Sequence, residues 1–328
     1  MGISLSGLAG AVAKEGGIGM ISTAQIGFRE PEFEHSPIET NLRCIGTELE
    51  KARKIAPKGI IGCNIMVATR RYEDYVRAAV RAGADLIASG AGLPSKLPEL
   101  TKGFRTKLAP IVSSVKAASV ICRLWDRRYQ TTPDLVIVEG PEAGGHLGFD
   151  EETLSHLETL DYDKEILEIM AHVRQYEEKY EKKIPVVAAG GIYSREDADH
   201  YLEGLGTDGI QVATRFVTTE ECDAPMAYKQ AYLDAEKEDI VITKSPVGMP
   251  GRAIKNRFLK EMKERRKPVS KCLQCLEKCS PKETPYCITE ALINAAKGKI
   301  QDALLFCGAK AYLADRIETV HEVMADLV

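Results

Sequence analysis

Seven short apolar runs recur along the chain, and most lead into a helical pattern. They cover residues 19–22, 59–66, 84–89, 110–115, 135–139, 185–189 and 209–213. Most are continuous rather than alternating, as expected of strands buried on both faces of a parallel sheet. Between them, apolar spacing near 3.6 residues predicts helices over 71–82, 116–123, 164–182 and 195–205, and a further helix over 5–14 precedes the first run. Strand and helix alternating in this way build either a closed (β/α)8 barrel or an open doubly wound sheet. The polar and glycine-rich features follow many different strands, so the expectation is an α/β TIM barrel. Seven strands are one short of closure. Either the barrel lacks its first strand or the chain continues from residues upstream.

After Phe216 the pattern changes. Residues 223–237 and 256–267 read as helices, 240–251 as an extended and turning segment, and 289–297 and 302–324 as further helical patterns. The expected organisation is a barrel core over 1–222 and a helical C-terminal extension over 223–328, with a cysteine-rich segment at 272–287. A chain of 328 residues that is 44% apolar is long enough to bury one large core with such an attachment.

Charge is nearly balanced, 44 basic against 48 acidic residues, with no basic tract interleaved with aromatics. Nucleic acid is therefore not an expected partner. The small apolar start, residues 1–22, lacks the basic opening of an export signal, and Gly16-Gly17 interrupts it. The reading is a soluble cytoplasmic protein acting on a small molecule, with no membrane partner and with a homodimer left open.

Chemistry concentrates where Val136-Ile137-Val138-Glu139 runs into Gly140-Pro141-Glu142-Ala143-Gly144-Gly145-His146. Gly144 and Gly145 let backbone approach a flat ligand closely, and His146 is left at the strand's open end to accept or donate a proton. Glu142 shares the loop and either orients His146 or caps the local turn. Two later strands end in Gly190-Gly191 and in Gln211-Val212-Ala213-Thr214. In barrels the loops after the last two strands commonly hold a phosphate on backbone N–H groups. Gly190, Gly191, Ala213 and Thr214 are thus the expected cradle, although a single Gly-Gly pair is also what an ordinary turn looks like. Gln211 either hydrogen-bonds the ligand or supports a neighbouring loop. Asn64, within an otherwise apolar strand, either ties loops together or hydrogen-bonds a heterocycle. Lys116 stands at a helix start, where a cation is electrostatically disfavoured, so an electron-rich cofactor ring or phosphate is its expected partner.

Taken in order, Gly7-Leu8-Ala9-Gly10-Ala11-Val12, Gly16-Gly17-Ile18-Gly19, the Asn64 strand, Glu142-Ala143-Gly144-Gly145-His146, Ala188-Ala189-Gly190-Gly191-Ile192 and residues 208–216 resemble the nitronate monooxygenase family, formerly 2-nitropropane dioxygenases. The resemblance covers about the first two thirds of the chain. It implies an FMN-dependent TIM barrel in which His146 lies beside the flavin as base and Gly190, Gly191, Ala213 and Thr214 bind the FMN phosphate. Asn64 and Lys116 would contact the ring. Family members begin with a strand ending in a Gly-Gly-Met type loop, and this chain starts just beyond it. The implied reaction oxidises alkyl nitronates or nitroalkanes with O2 to carbonyl compounds and nitrite. The flavin-dependent enoyl-acyl carrier protein reductases resemble the same loops and use a nicotinamide instead. A third reading is a flavin-free scaffold of the same fold.

Cys272-x2-Cys275-x3-Cys279-x7-Cys287 places four of nine cysteines within sixteen residues. Such spacing suits tetrahedral zinc or an iron–sulfur cluster, and equally a reduced cysteine-rich helical hairpin with buried thiols. The other five cysteines are scattered and read as small apolar residues.

Overall fold

In the computed structural model, which describes residues 1–328, all seven expected strands are present. The ten strands in chain order are β1 (Ile18–Ser22), β2 (Ile60–Asn64), β3 (Leu86–Ser89), β4 (Lys107–Val112), β5 (Val136–Glu139), β6 (Gly145–His146), β7 (Val186–Ala189), β8 (Gly209–Gln211), β9 (Ile240–Lys244) and β10 (Pro250–Ile254). Seven of them form one parallel sheet in the order β1-β2-β3-β4-β5-β7-β8. The sheet curls into a TIM barrel that lacks one strand between β8 and β1, with a helical tail packed on it.

Side-chain alternation divides the sheet into two faces. Ile21, Ile61, Cys63, Ile87, Val136, Val138 and Val186 point outward and join a core of 36 buried residues shared with the surrounding helices. Leu86, Ala88, Ala109, Ile137 and Ala189 point inward and pack with Met20, Ile111, Leu135 and Val187. This two-sided burial is why the strands read as continuous apolar runs.

The chain's two ends meet at the gap. Asp223, beyond β8, accepts hydrogen bonds from the amides of Leu5 (2.7 Å), Gly7 and Leu8 (both 3.1 Å) and so satisfies the first turn of the helix Ser6–Lys14. That helix lies so close to β1 that a Cβ on Gly19 would stand 1.8 Å from the Ala9 carbonyl oxygen. One core cluster joins Leu8 and Ala11 to Phe216, Tyr232, Leu305 and Val323.

Several expectations need correcting. A 19-residue helix, Pro37–Ile55, connects β1 to β2 where none was expected. The helix expected over 195–205 is α-helical over Arg195–Asp199 and then widens into a π turn, His200–Gly204. Residues 302–324 are not one helix. Two 3-10 turns, Ile300–Asp302 and Ala311–Leu313, precede a helix at Val320–Leu327. The stretch between the turns runs extended beside β10, with the Ile254 amide donating to Leu305 O and the Cys307 amide to Arg252 O. The segment 240–251 is mostly a β-hairpin, β9 against β10, and β10 also pairs with β6. No helix is long and apolar enough to cross a membrane.

Candidate functional site

At the C-terminal end of the sheet the inner face turns from apolar to polar. By alternation from Met20, Gly62, Ile137 and Gly209, the inward positions there are Ser22, Asn64, Glu139 and Gln211. Asn64 accepts hydrogen bonds from Thr23 N and Oγ1 on its backbone carbonyl, while its side-chain amide bonds nothing within the chain. Gln211 is half-buried and its amide is likewise unengaged. Lys116 is an exposed second residue of the helix Val115–Tyr129, without an ion pair.

His146 lies in the two-residue strand β6, opposite Gly251 of β10. Its Nε2 is 2.7 Å from Ser245 Oγ, in the hairpin turn, and Phe306 meets the imidazole edge to face at 4.9 Å. The Val247 amide donates to the same Ser245 Oγ at 3.3 Å. Which of His146 Nε2 and Ser245 Oγ donates follows the tautomer of the neutral imidazole. Burial pulls the imidazole pKa down to about 4, so His146 is neutral at physiological pH. Tyr228 and Tyr232 both donate to the Phe306 carbonyl, at 3.2 and 2.6 Å, and hold that residue in place.

Arg252 fixes the glycine loop from beneath. It is 5% exposed, and its Nη1 donates to Pro141 O (2.8 Å) and Ala143 O (2.5 Å), with no carboxylate partner. Gly144 is required by packing: a Cβ there would lie 2.6 Å from the Cys307 carbonyl carbon and 2.7 Å from Gly308 N. Gly145 has φ +75°, in the left-handed region that favours glycine. Glu142 does not reach His146, whose ring nitrogen is engaged by Ser245 instead. Its Oε2 stands over Gly191, 2.4 Å from where a Cβ would be.

Gly190 (φ +98°) and Gly191 (φ +76°) follow β7, and Ala213 and Thr214 follow β8. The amides of all four have no acceptor within the chain. Unengaged N–H groups beside left-handed backbone are the donor set that an anion such as a phosphate takes. Thr214 Oγ1 accepts from Gly308 N at 3.0 Å and keeps its own hydroxyl proton to donate. The structure thus gathers His146, Glu142, Gly144, Gly145, Gly190, Gly191, Gln211, Ala213, Thr214 and Asn64 around the strands' C-terminal ends. Lys116, four residues beyond the C-terminal end of β4, is exposed.

The cysteine segment is a correction. Cys272, Cys275, Cys279 and Cys287 lie in turns between the helices Arg257–Glu264 and Ile288–Ala296, and no three His, Cys, Asp or Glu side chains converge to hold a metal ion. The arrangement gives no support to zinc or an iron–sulfur cluster, and the segment forms no helical hairpin. Cys275 and Cys279 pack instead against a small apolar cluster that includes Leu276 and Tyr286, and burial pushes the Cys275 thiol up to about 11.

Sequence reasoning missed Ser245, Arg252, Phe306 and Glu139. The first three come from the tail, so only tertiary pairing brings them to His146. Glu139 was legible, as an acidic residue ending an apolar strand.

A nitronate monooxygenase family model matches residues 1–328. Among curated relatives, the probable nitronate monooxygenase of Staphylococcus saprophyticus is 31% identical over 200 residues, covering 61% of this chain and 52% of the relative. The chain therefore spans about half the length of that protein. Among solved structures, FabK from Thermotoga maritima aligns with a TM-score of 0.72 at 24% identity, over 99% of this chain and 88% of that one. A nitroalkane oxidase from Streptomyces ansochromogenes aligns with a TM-score of 0.72 at 19% identity, over 99% and 91%. At such identities the two structures show a shared fold.

Proposed function

The chain belongs to the nitronate monooxygenase family, and on that premise we propose that it is an FMN-dependent oxidoreductase converting alkyl nitronates, or nitroalkanes, with O2 to carbonyl compounds and nitrite. One observation carries the reading: a neutral, half-buried imidazole shares the strand-end face with four backbone amides that have no acceptor.

The residues fit the cofactor. Gly190, Gly191, Ala213 and Thr214 would hold the FMN phosphate, with the Thr214 hydroxyl as a further donor and the flexible Glu142 carboxylate turning away from Gly191. Asn64 and Gln211 offer free amides to the heterocycle, and the exposed Lys116, just beyond β4, would offer its ammonium group. Bound FMN supplies the electron-accepting ring.

His146 governs protons. Its Nε2 is engaged by Ser245, so a substrate proton reaches that nitrogen only after the Ser245 hydroxyl moves aside. An imidazole with a pKa near 4 is a weak base. The site is therefore better matched to a nitronate, which arrives already deprotonated, than to the neutral nitroalkane. Phe306 and the hairpin turn keep water from that nitrogen.

The test is the absorption spectrum of anaerobically purified protein, with flavin quantified, during additions of NADH and then a nitronate. Reduction by nitronate that O2 reverses, with indifference to NADH, supports the reading. Stoichiometric bleaching by NADH would replace it with the enoyl reductase, and a colourless protein that takes up no FMN would leave the scaffold.

A further inference from the structure

Glu139 ends β5, one step beyond the apolar inner face. Leu135 and Ile137 point into the barrel with Ala189, so the alternation turns Glu139 inward at the mouth. Its register partner is Ala189, next to the Gly190-Gly191 cradle, and Ala189 in turn pairs with Gln211. The carboxylate accepts no hydrogen bond and forms no ion pair; only the main-chain carbonyl is used, by Tyr162 Oη at 3.0 Å. Tyr162, from the helix Tyr162–Tyr180, lies near Glu139, Glu165 and Tyr201; Glu142 and His146 follow in the same loop, Gln211 is two strands along the sheet, and Lys116 follows the neighbouring strand β4. No lysine or arginine pairs with it. The side chain is half-buried.

An acid placed in this way has a calculable preference. A flavin held at the mouth would take water from the carboxyl, and its ring carbonyl oxygens would accept a hydrogen bond from the neutral acid. Both effects penalise the charged form and favour the neutral one, which donates a hydrogen bond. Burial alone already lifts Glu139 to about 7, whereas His146 is held near 4. Of the two groups, only Glu139 changes charge near neutral pH.

We propose that Glu139 holds the flavin as a neutral carboxylic acid, so that flavin binding is linked to the uptake of one proton from solvent onto the Glu139 carboxyl. No covalent bond of the flavin changes in this step. The inference rests on the flavin reading given above.

The experiment is a fluorescence titration of FMN into flavin-stripped, full-length protein at several pH values from about 6 to 9, with wild type and Glu139→Gln side by side. It is paired with calorimetry in two buffers of different ionisation enthalpy. The FMN phosphate titrates in both proteins and cancels in the comparison. Relative to Glu139→Gln, wild-type affinity should fall by up to tenfold per pH unit above about pH 7, and calorimetry should count close to one extra proton taken up. Parallel pH profiles, or a proton released by wild type, would overturn the proposal and leave the flavin reading standing. Failure of both proteins to bind FMN at any pH would remove the flavin reading and the inference with it.

Discussion

Replacing Arg252 with methionine tests whether the glycine loop is held from the tail. Methionine roughly matches the length of the side chain and keeps its apolar packing, but it cannot donate to Pro141 O or Ala143 O. Hydrogen bonds from a charged donor contribute about 1.5–3 kcal/mol each, so the pair is worth about 3–6 kcal/mol before offsets. Removing a guanidinium that is 5% exposed and has no counter-ion returns part of that as relieved desolvation. The expected net loss is about 2–4 kcal/mol. Urea unfolding should show a lower midpoint with an unchanged m-value, because the surface exposed on unfolding is the same. Arg252→Lys, able to reach one carbonyl at best, should fall between. An Arg252→Met protein as stable as wild type would refute the reasoning, since the two carbonyls would then have found other partners and the loop would not depend on β10.

Four further outcomes are expected. Glu139→Gln should match wild type in stability below about pH 4.5, where the carboxyl is protonated folded and unfolded alike. As pH rises from there to about 7, wild type alone should lose stability, by at most about 3 kcal/mol, because its folded-state pKa is raised; chemical denaturation across that range checks the sign. Ser245→Ala removes the only hydrogen-bond partner of His146 Nε2, so the Nε2 resonance followed by NMR should shift, and an unmoved resonance contradicts the bond. Gly144→Ala should lower the thermal midpoint by an amount equivalent to about 1–3 kcal/mol, since its Cβ meets backbone rather than a yielding side chain. Dialysis against a strong chelator should leave the midpoint unchanged; a drop with release of stoichiometric metal would restore a ligand role for Cys272, Cys275, Cys279 and Cys287.

The parallel strands were legible because each is buried on both faces, which leaves an apolar run that needs no partner to be seen. The helix Pro37–Ile55 was not, although Ser36-Pro37 with Glu39 forms an ordinary helix start; its interior Gly46 and mixed polarity blur the apolar stripe. In 302–324 the apolar spacing resembles a helix, but the Leu305 carbonyl and the Cys307 amide bond to β10 instead. The loop chemistry around His146 was readable in local glycines. Its partners Ser245, Arg252 and Phe306 were not, since nothing local marks a two-residue strand that exists only by pairing with β10.

That pairing also fixes an order of events. His146 meets Ser245 across 99 positions, Pro141 meets Arg252 across 111, and Thr214 meets Gly308 across 94. While the chain emerges from a ribosome, the strands up to β8 have their neighbours already made, but the imidazole has neither its hydroxyl nor its covering ring. Contacts this distant in sequence form late and slowly. A nascent or truncated chain therefore exposes an ordinary titrating histidine in a loose loop, and the neutral imidazole of the finished protein emerges only when the last third of the chain has folded over it.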